Sequence, residues 1–391
     1  MRYLSLFSGM EAAHLAWAPL GWGCAGVAEV EPAACQLLRH RLPGVLNLGN
    51  VTKVTAEVIA KLGHLDVVIG GSPCQDLSVA GKRAGLSGER SSLFHEQLRI
   101  FNAARTLCGA RWLVWENVPG AFSSNKGRDF AVVVGEMAGC RLAVPAEGWG
   151  NEGVALGDNG LVEWSVLDSQ WFGVAQRRRR VFAVLDTGDW ANRPPVLLEP
   201  DRLRGDSAPR RETWQSVAGT LAGGARRSGG YSADDVGLVP SVARCDTTGE
   251  GARLDAVAIG CDTYNGSLTG EVAATLSTQS GDGVSAGPSV MQGMAVRRLT
   301  PVECERLQAA PDNWTLVPKL GRPRTQRKNE PDAHYAAYLE RHSGGVDLGP
   351  MMADGPRYKM LGNSFTATVI RWIGHQIEAA HGNADQQREA A

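Results

Sequence analysis

The chain has 391 residues, an apolar fraction of 43% and a formal net charge of −1. A charge so close to zero excludes a protein that coats nucleic acid by bulk charge, and no stretch approaches the ~18 apolar residues of a membrane span. The eight cysteines show no zinc-ligand spacing, and glycine interrupts the N-terminus too early for a signal peptide. We therefore expect a soluble, cytoplasmic protein with reduced thiols and no metal.

The first half of the chain alternates short apolar segments with helix-forming ones. Strands are predicted at 3–7, 23–28, 65–69, 112–115 and 181–185, and helices at 11–17, 32–41 and 92–108. This order is typical of an α/β fold, and it predicts a Rossmann-like, doubly wound, mostly parallel sheet with helices on both faces.

The character of the sequence changes after Pro194, where glycine, serine, threonine and arginine dominate and helical periodicity is lost. We expect a second, smaller, loop-rich domain there and an exposed insertion at about 322–354. A final amphipathic helix is predicted at 365–380, with Val369, Ile370, Ile373 and Ile377 on one face.

The distribution of charge suggests a polyanionic partner. Basic stretches at 171–230 and 297–328 flank an acidic stretch at 231–296. Two basic segments could line a cleft for nucleic acid, although ordinary solvated surfaces would give the same pattern.

Polar residues follow the predicted strands at the ends where ligands bind in an open α/β sheet. Gly9 turns the chain after the first strand, and Glu29 follows the second at the distance of a ribose-binding carboxylate. Glu116 and Asn117 close a later strand. Each has a simpler interpretation. Gly9 could form a plain turn, Glu29 could be a surface carboxylate, and Glu116 with Asn117 could form a helix cap.

A cysteine follows the third strand in the stretch Val68-Ile-Gly-Gly-Ser-Pro-Cys-Gln-Asp-Leu-Ser-Val-Ala-Gly-Lys82. Cys74 stands where a ligand would meet it, and a thiol there is useful only as a thiolate. The positive charge of Lys82 and Arg83 would favour that form, whereas a structural cysteine in a turn is the alternative.

Four consecutive arginines, 177–180, precede the fifth predicted strand. If this segment is extended, alternate side chains point to opposite faces, so that one set enters the cleft and the other meets phosphates or solvent.

Taken in order, these motifs resemble the DNA (cytosine-5) methyltransferases, and most of all phage or prophage members. The resemblance covers about 1–186, 297–317 and 357–376. It depends on Ser-Pro-Cys-Gln, Glu-Asn-Val, Gln-x-Arg-x-Arg, the segment Arg298–Gln308 and Leu361-Gly-Asn-Ser364. It implies the methyltransferase fold that binds S-adenosylmethionine.

The resemblance assigns the chemistry to one thiol. Cys74, after Pro73, would add to carbon 6 of a flipped-out cytosine, so that carbon 5 becomes electron-rich and accepts the methyl group of S-adenosylmethionine. Glu116, beside Asn117, would bind the ring nitrogen and the exocyclic amine. Arg180 and Arg178 would contact the base carbonyl and neighbouring groups.

The resemblance also implies a cofactor pocket and a DNA interface. The cofactor residues would be Phe7, Ser8, Gly9, Met10, Glu29, Val30, Asn50, Val51, Leu93 and Asn363. The DNA-binding residues would be Gln75, Ser78, Lys82, Gln176, Arg226 and Arg227, the last two meeting guanine or phosphate. The partner would be double-stranded DNA, bound by a monomer, with a cognate restriction endonuclease as a further possible partner.

The resemblance predicts a discontinuous catalytic domain at 1–189 and 357–381. A target-recognition domain would occupy 190–316, an insertion 317–356 and a flexible tail 382–391.

The chain departs from the family pattern at several positions. It has Glu11 and Ala12 where the family has glycines, Ser5 where it has an acid, and Asn50 where it has aspartate. Because Glu11 adds a long side chain near the methionine end of the pocket, we expect altered cofactor binding before any loss of chemistry. A tRNA methyltransferase and a non-catalytic DNA-binding remnant remain as alternatives.

Overall fold

A seven-stranded sheet lies at the centre of the first half of the chain. The computed structural model describes residues 1–72, 92–198, 259–262, 267–270, 289–292, 295–321, 325–341 and 346–390. The strands of the sheet are β1 (Arg2–Leu6), β2 (Gly23–Ala28), β3 (Val67–Gly70), β4 (Trp112–Asn117), β5 (Glu152–Gly157), β6 (Gly160–Asp168) and β7 (Arg179–Asp186).

The strand order is β2-β1-β3-β4-β7-β6-β5. The first four of these strands are parallel to one another, whereas β7, β6 and β5 pair antiparallel beyond β4. The predicted doubly wound, mostly parallel α/β sheet is confirmed, and its parallel pairs are those among β2, β1, β3 and β4. The hairpin of β5 and β6 is an addition that the sequence analysis did not predict.

Alternate residues of the central strands belong to two apolar cores, one on each face of the sheet. Leu113 and Trp115 of β4 face one core, whereas Trp112 and Val114 face the other. The helices that cover these faces are α1 (Ala12–Trp17), α2 (Pro32–Arg41), α3 (Ala56–Ala60), α4 (Ser92–Cys108) and α5 (Arg128–Ala138). Because both faces are covered, the parallel strands read as continuous apolar runs.

The C-terminal helix α9 (Ala367–Ala390) returns to the first strands. Its predicted apolar face is buried against β1, β3 and α1, and Trp17 Nε1 donates to Ile370 O at 2.9 Å. The backbone is helical to Ala390, because alanine, glutamine, glutamate and arginine favour continuation of the helix. The flexible tail at 382–391 stays a prediction.

The remaining elements belong to the second half of the chain. A four-stranded sheet contains β8 (Ile259–Asp262), β9 (Ser267–Gly270), β10 (Ser289–Gln292) and β11 (Ala295–Arg298). The other elements are α6 (Pro301–Leu307), β12 (Pro318–Gly321), α7 (Asp332–Arg341), β13 (Val346–Met351) and α8 (Asp354–Asn363). β12 pairs antiparallel with β13.

Residues 299–317 pack against the first half of the chain. Leu299, Cys304 and Val317 share a core with Leu37 of α2 and Leu361 of α8. A capping box at Thr300 and Glu303 fixes the start of α6. The predicted division into domains stays a prediction, and this packing places the end of the predicted recognition domain against α1 and α2.

Within the described ranges, no helix has the length and apolar character of a membrane span. The same part of the chain contains no cluster of three or more metal-ligating side chains, and its cysteines at 24, 35, 108, 140 and 304 are free thiols.

Candidate active site

Four strand ends lie side by side at one edge of the sheet. Because β1, β2, β3 and β4 are parallel, the residues at their carboxyl ends meet there. The structure thus brings Gly9, Glu29 and Glu116 to the same edge, as the order of elements predicts. Gly71 and Ser72 follow β3 at this edge and lead toward Cys74.

The turn after β1, residues 7–11, has an unusual backbone. Phe7, Gly9 and Glu11 have φ values of 54°, 54° and 59°, in the left-handed region that favours glycine. The N–H of Gly9 donates to Glu29 Oε2 at 2.8 Å, and the N–H of Ala28 donates to Ser8 Oγ at 3.2 Å. These bonds hold the turn against the end of β2.

Glu29 is fixed by backbone donors. Its Oε1 atom accepts the N–H groups of Val30 and Glu31, each at 2.7 Å, in addition to the Gly9 bond at Oε2. A carboxylate has about four acceptor positions. The three bonds therefore orient Glu29 and leave capacity for a ligand hydroxyl, so the residue fits a ribose.

The predicted adenine side of the pocket is mixed in character. Val51 is buried, Leu93 is half-buried, and Val30 is 63% exposed. Asn50 Oδ1 accepts both the N–H (3.0 Å) and the hydroxyl (2.9 Å) of Thr52. Asn50 thereby caps the short helix Val51–Lys53, a local role that the resemblance did not predict.

Glu11 points into the protein instead of toward the pocket. It is 1% exposed, and Ser5 Oγ donates to its Oε2 atom at 2.7 Å. Burial raises the pKa of Glu11 to about 7, although the hydroxyls of Ser5 and Tyr3 oppose this rise. The carboxyl group of Glu11 thus lies in the interior next to β1. The expectation that Glu11 alters cofactor binding stays a prediction.

Glu116 forms a buried ion pair at the end of β4. Its Oε1 atom lies 3.1 Å from Arg180 Nε, and the residue is 9% exposed. Burial raises the pKa of Glu116 above its usual value, and the charges of Arg180 and Arg178 oppose that rise. The arrangement is a carboxyl group paired with the Arg180 guanidinium group, and the charge of Arg178 acts on it as well.

Arg178 connects this edge to the C-terminal part of the chain. It is 2% exposed, and its Nη2 atom donates to Gly362 O at 3.0 Å and to Ser364 O at 2.7 Å. Asn363, exposed at the end of α8, lies between these two acceptors. Arg178 thus positions the segment that carries Asn363.

The predicted alternation of the arginines is confirmed. Gln176 and Arg178 are buried and Arg180 is half-buried, whereas Arg177 and Arg179 are exposed. Asn117 is buried beside Glu116, and its Oδ1 atom accepts the N–H of Val118 at 2.8 Å. Gln176, Arg178 and Arg180 therefore face the site, whereas Arg177 and Arg179 face solvent.

The sequence analysis missed two residues that shape the site. A methyl group at Gly71 would lie 2.8 Å from Glu116 Oε2 and 3.0 Å from the ring of Phe365. Gln97, fully buried on α4, donates to Gly70 O at 3.1 Å and to Val114 O at 3.3 Å. A glutamine within the apolar face of α4 is a signal that could have indicated such a role.

Several predicted site residues lie outside the described ranges. These are Pro73, Cys74, Gln75, Ser78, Lys82, Arg226 and Arg227.

The part of the chain that contains these strand ends matches a known protein family. The profile of the C-5 cytosine-specific DNA methylase family matches residues 1–199. These residues contain all seven strands of the central sheet, the turn after β1 and the Glu116–Arg180 pair.

Two relatives illustrate how far the similarity extends. A protein of Escherichia phage P1 named DNA N-6-adenine-methyltransferase is 33% identical over 470 aligned residues, 97% of this chain and 61% of that protein. The type II methyltransferase M.AquIA of Picosynechococcus sp. is 34% identical over 189 residues, 47% of this chain and 71% of that protein. The chain thus spans about three fifths of the phage protein's length.

Solved structures of low sequence identity share the fold. The S. pombe Dnmt2 methyltransferase is 14% identical with a TM-score of 0.51, and the alignment covers 97% of this chain and 98% of that one. The Entamoeba histolytica methyltransferase EhMeth is 12% identical with a TM-score of 0.53, covering 96% and 97%. With the family profile matching half of the sequence, the chain belongs to the C-5 cytosine-specific DNA methylase family.

Proposed function

We propose that this protein is a DNA (cytosine-5-)-methyltransferase that methylates a cytosine within a short duplex sequence. The observation that carries the proposal is the buried Glu116–Arg180 pair beside Gly71. This pair lies at the edge where β3 ends, and Cys74 follows Ser72 closely in the sequence. A carboxyl group, a guanidinium group and a thiol are the groups that this reaction requires.

Cys74 acts as the nucleophile in this proposal. An aromatic pyrimidine is a poor methyl acceptor, and addition of the thiolate to carbon 6 breaks the aromaticity and makes carbon 5 electron-rich. After carbon 5 has taken the methyl group, it loses its proton and the thiolate is eliminated. The protein thereby recovers Cys74 unchanged.

Glu116 and Arg180 hold the base during this addition. The carboxyl group would hydrogen-bond the ring nitrogen and the exocyclic amine, where charge develops. Its raised pKa helps, because a protonated carboxyl group can donate to the ring nitrogen. Arg180 limits this rise and contacts the carbonyl side of the base.

S-Adenosylmethionine is the proposed cofactor, and it supplies an electrophilic methyl group. The residues present fit it, because Gly9 places no side chain beside Glu29, and Glu29 retains capacity for a ribose hydroxyl. Val51 and Leu93 supply apolar contacts for the adenine, and Asn363 would close the pocket from the C-terminal side.

Duplex DNA is the proposed substrate, and the target base must leave the helix to reach the site. Its unstacking costs a few kcal/mol, which the contacts of the flipped base offset. The predicted recognition segment 190–316 would read the sequence, with Arg226 and Arg227 at base edges or phosphates. A monomer suffices for this chemistry, and a cognate endonuclease is an optional partner.

The name of the phage P1 relative favours a second candidate, methylation of adenine at N6. That name describes a protein of which this chain spans 61%, so its activity can belong to the segment that has no counterpart here. Transfer to an exocyclic amine also requires no thiol nucleophile, which would leave Cys74 without a role.

The test is expression in a host that lacks DNA methylation, followed by nucleoside mass spectrometry and methylation-resolved sequencing of its DNA. We expect 5-methylcytosine at one recurring short sequence, abolished by Cys74→Ser and retained in the matched variant Cys140→Ser. N6-methyladenine in place of 5-methylcytosine would overturn the proposal in favour of the second candidate. Methylcytosine in tRNA alone would show an RNA substrate, and no modified base with folded protein would show a non-catalytic remnant.

A further inference from the structure

Glu11 is a buried acid directly beneath the turn that the proposed function assigns to the cofactor. Its Oε2 atom accepts the Ser5 hydroxyl at 2.7 Å, whereas its Oε1 atom is buried without a hydrogen-bond partner. Its own backbone has φ of 59°, in the left-handed region that residues other than glycine rarely adopt. The protein therefore keeps a strained, incompletely bonded acid at this position.

The surroundings of Glu11 supply no positive charge within the described part of the chain. The titratable groups that act on it are Tyr3 on β1, Cys24 on β2 and Glu29 after β2. Burial raises the pKa of Tyr3 and of Cys24, so both are uncharged at neutral pH. The charge of Glu29 raises the pKa of Glu11 further.

A buried carboxylate normally has a cationic partner, because an unpaired charge in a low-dielectric interior is costly. Here the missing cation has an evident source among the ligands. The sulfonium of S-adenosylmethionine carries a positive charge, and the thioether of the product S-adenosylhomocysteine carries none. A negative charge under the turn at 7–11 therefore distinguishes the two nucleosides by their charge.

We propose that Glu11 is a specificity-determining residue that favours the cationic cofactor over the neutral product. This inference rests on the proposed function, since it assumes that the turn at 7–11 binds the cofactor. Glu11 acts through space and through the turn that it supports, and it touches no reacting atom. Methyl transfer removes the positive charge from the sulfur, so the same residue favours release of the product.

The inference predicts a coupling between ligand charge and pH. Ionisation of Glu11 strengthens binding of the cation and leaves binding of the neutral thioether nearly unchanged. The ratio of the Kd of S-adenosylhomocysteine to the Kd of S-adenosylmethionine should therefore rise as the pH rises through neutrality. We expect a rise of about tenfold between pH 6.0 and 8.5.

The experiment is isothermal titration calorimetry of the full chain with both nucleosides at several pH values. Glu11→Gln should hold the ratio at the low-pH value of the wild type, and the exposed matched variant Glu57→Gln should behave as the wild type. The amino group of each nucleoside titrates in the same way whether the wild type or a variant is measured. Its titration therefore cancels when the proteins are compared. Sinefungin, which carries an ammonium group in place of the sulfonium, should follow S-adenosylmethionine.

Two outcomes separate this inference from the proposed function. An unchanged, pH-dependent ratio in Glu11→Gln would overturn the inference alone. Failure of the wild type to bind either nucleoside would overturn the cofactor assignment and the inference with it. If Glu11→Gln does not fold, proton release can be measured in the wild type. Binding of S-adenosylmethionine near pH 7 should release more protons than binding of the neutral S-adenosylhomocysteine, and equal release would contradict the inference.

Discussion

Glycine at position 71 leaves room for the Glu116 carboxyl group and for the ring of Phe365. A methyl group there would approach both at 3.0 Å or less, and neither neighbour is free to move. Glu116 is held by Arg180, and Phe365 is packed between two apolar cores. The identity of the residue directly after the third strand is thus fixed by the space that Glu116 and Phe365 occupy.

Replacement of Gly71 by alanine should displace the Glu116 carboxyl group and lower the methylation rate at least tenfold. The overpacking should cost about 1–3 kcal/mol in the free energy of unfolding. Single-turnover kinetics and urea denaturation measure the two effects. Gly44→Ala is the matched control, because a methyl group at position 44 has no neighbour within 4 Å. Equal rates in the two variants would show that the carboxyl group can shift without loss.

The raised pKa of Glu11 predicts a dependence of stability on pH. The folded chain binds the proton more tightly than the unfolded chain, in which a glutamate has its ordinary pKa of about 4.5. The stabilising contribution is complete below pH 4.5 and is lost as the pH rises through about 7, with a total of roughly 3 kcal/mol. Urea denaturation of the wild type and of Glu11→Gln from pH 4.5 to 8 should show this loss in the wild type only. Parallel curves would contradict it.

Single residues show where sequence reasoning stops. The strand ends and the motifs at Glu29 and Glu116 could be placed because they follow predicted strands. The orientation of Glu11 could not be predicted, because it depends on a hydroxyl six positions earlier and on a left-handed backbone. The Oδ1 atom of Asn50 likewise accepts the N–H of Thr52, and this local hydrogen bond competes with a bond to a ligand.

Helix α9 shows how a predicted element acquires its role from its packing. Its apolar face follows from the 3.6-residue period, and the structure buries that face as predicted. The partner of the face is α1, whose Trp17 packs so closely that a methyl group at Gly374 would meet its indole nitrogen at 2.5 Å. Spacing alone predicts the helix, whereas the close approach requires a glycine that spacing does not explain.

The two glycines of α9 should respond in opposite ways to replacement by alanine. Gly374→Ala should lower the free energy of unfolding by about 1–3 kcal/mol, because the indole of Trp17 must move. Gly382→Ala should raise it by about 0.5–1 kcal/mol, because a methyl group there meets no neighbour and alanine favours the helix. Thermal denaturation of both variants tests this. A stabilising effect at both positions would show that α1 and α9 are less tightly packed.

Segments remote in sequence join the molecule through buried polar groups. Glu305 of α6 is fully buried, lies 3.2 Å from Arg357 of α8 and accepts the N–H of Thr315 at 2.9 Å. Glu163 of β6 accepts the N–H groups of Val196 and Leu197, each at 2.8 Å, and pairs with Arg193. These contacts fix the chain at both ends of the predicted recognition segment. Single-sequence reasoning could not pair residues so far apart.

Loss of α9 should disrupt the whole molecule. A chain that ends after Ser364 would expose Trp17, Trp112 and Val114 on one face of the sheet, an apolar surface that promotes aggregation. We expect this variant to be insoluble or to lack a cooperative thermal transition. A chain that ends after Gly382 should unfold cooperatively, as the full chain does. A folded, soluble variant without α9 would show that another segment of the chain can cover this face of the sheet.

The bond between Trp17 and Ile370 joins residues 353 positions apart, and it has a consequence for synthesis on the ribosome. The nascent chain exposes the indole and the adjoining sheet face while all the intervening codons are translated. The segment that carries Asn363 reaches the cofactor edge only when the polypeptide that follows it has left the exit tunnel. A polypeptide that stalls partway therefore contains Cys74 but lacks the packed C-terminal segment, so the activity proposed above requires translation to pass these last helices.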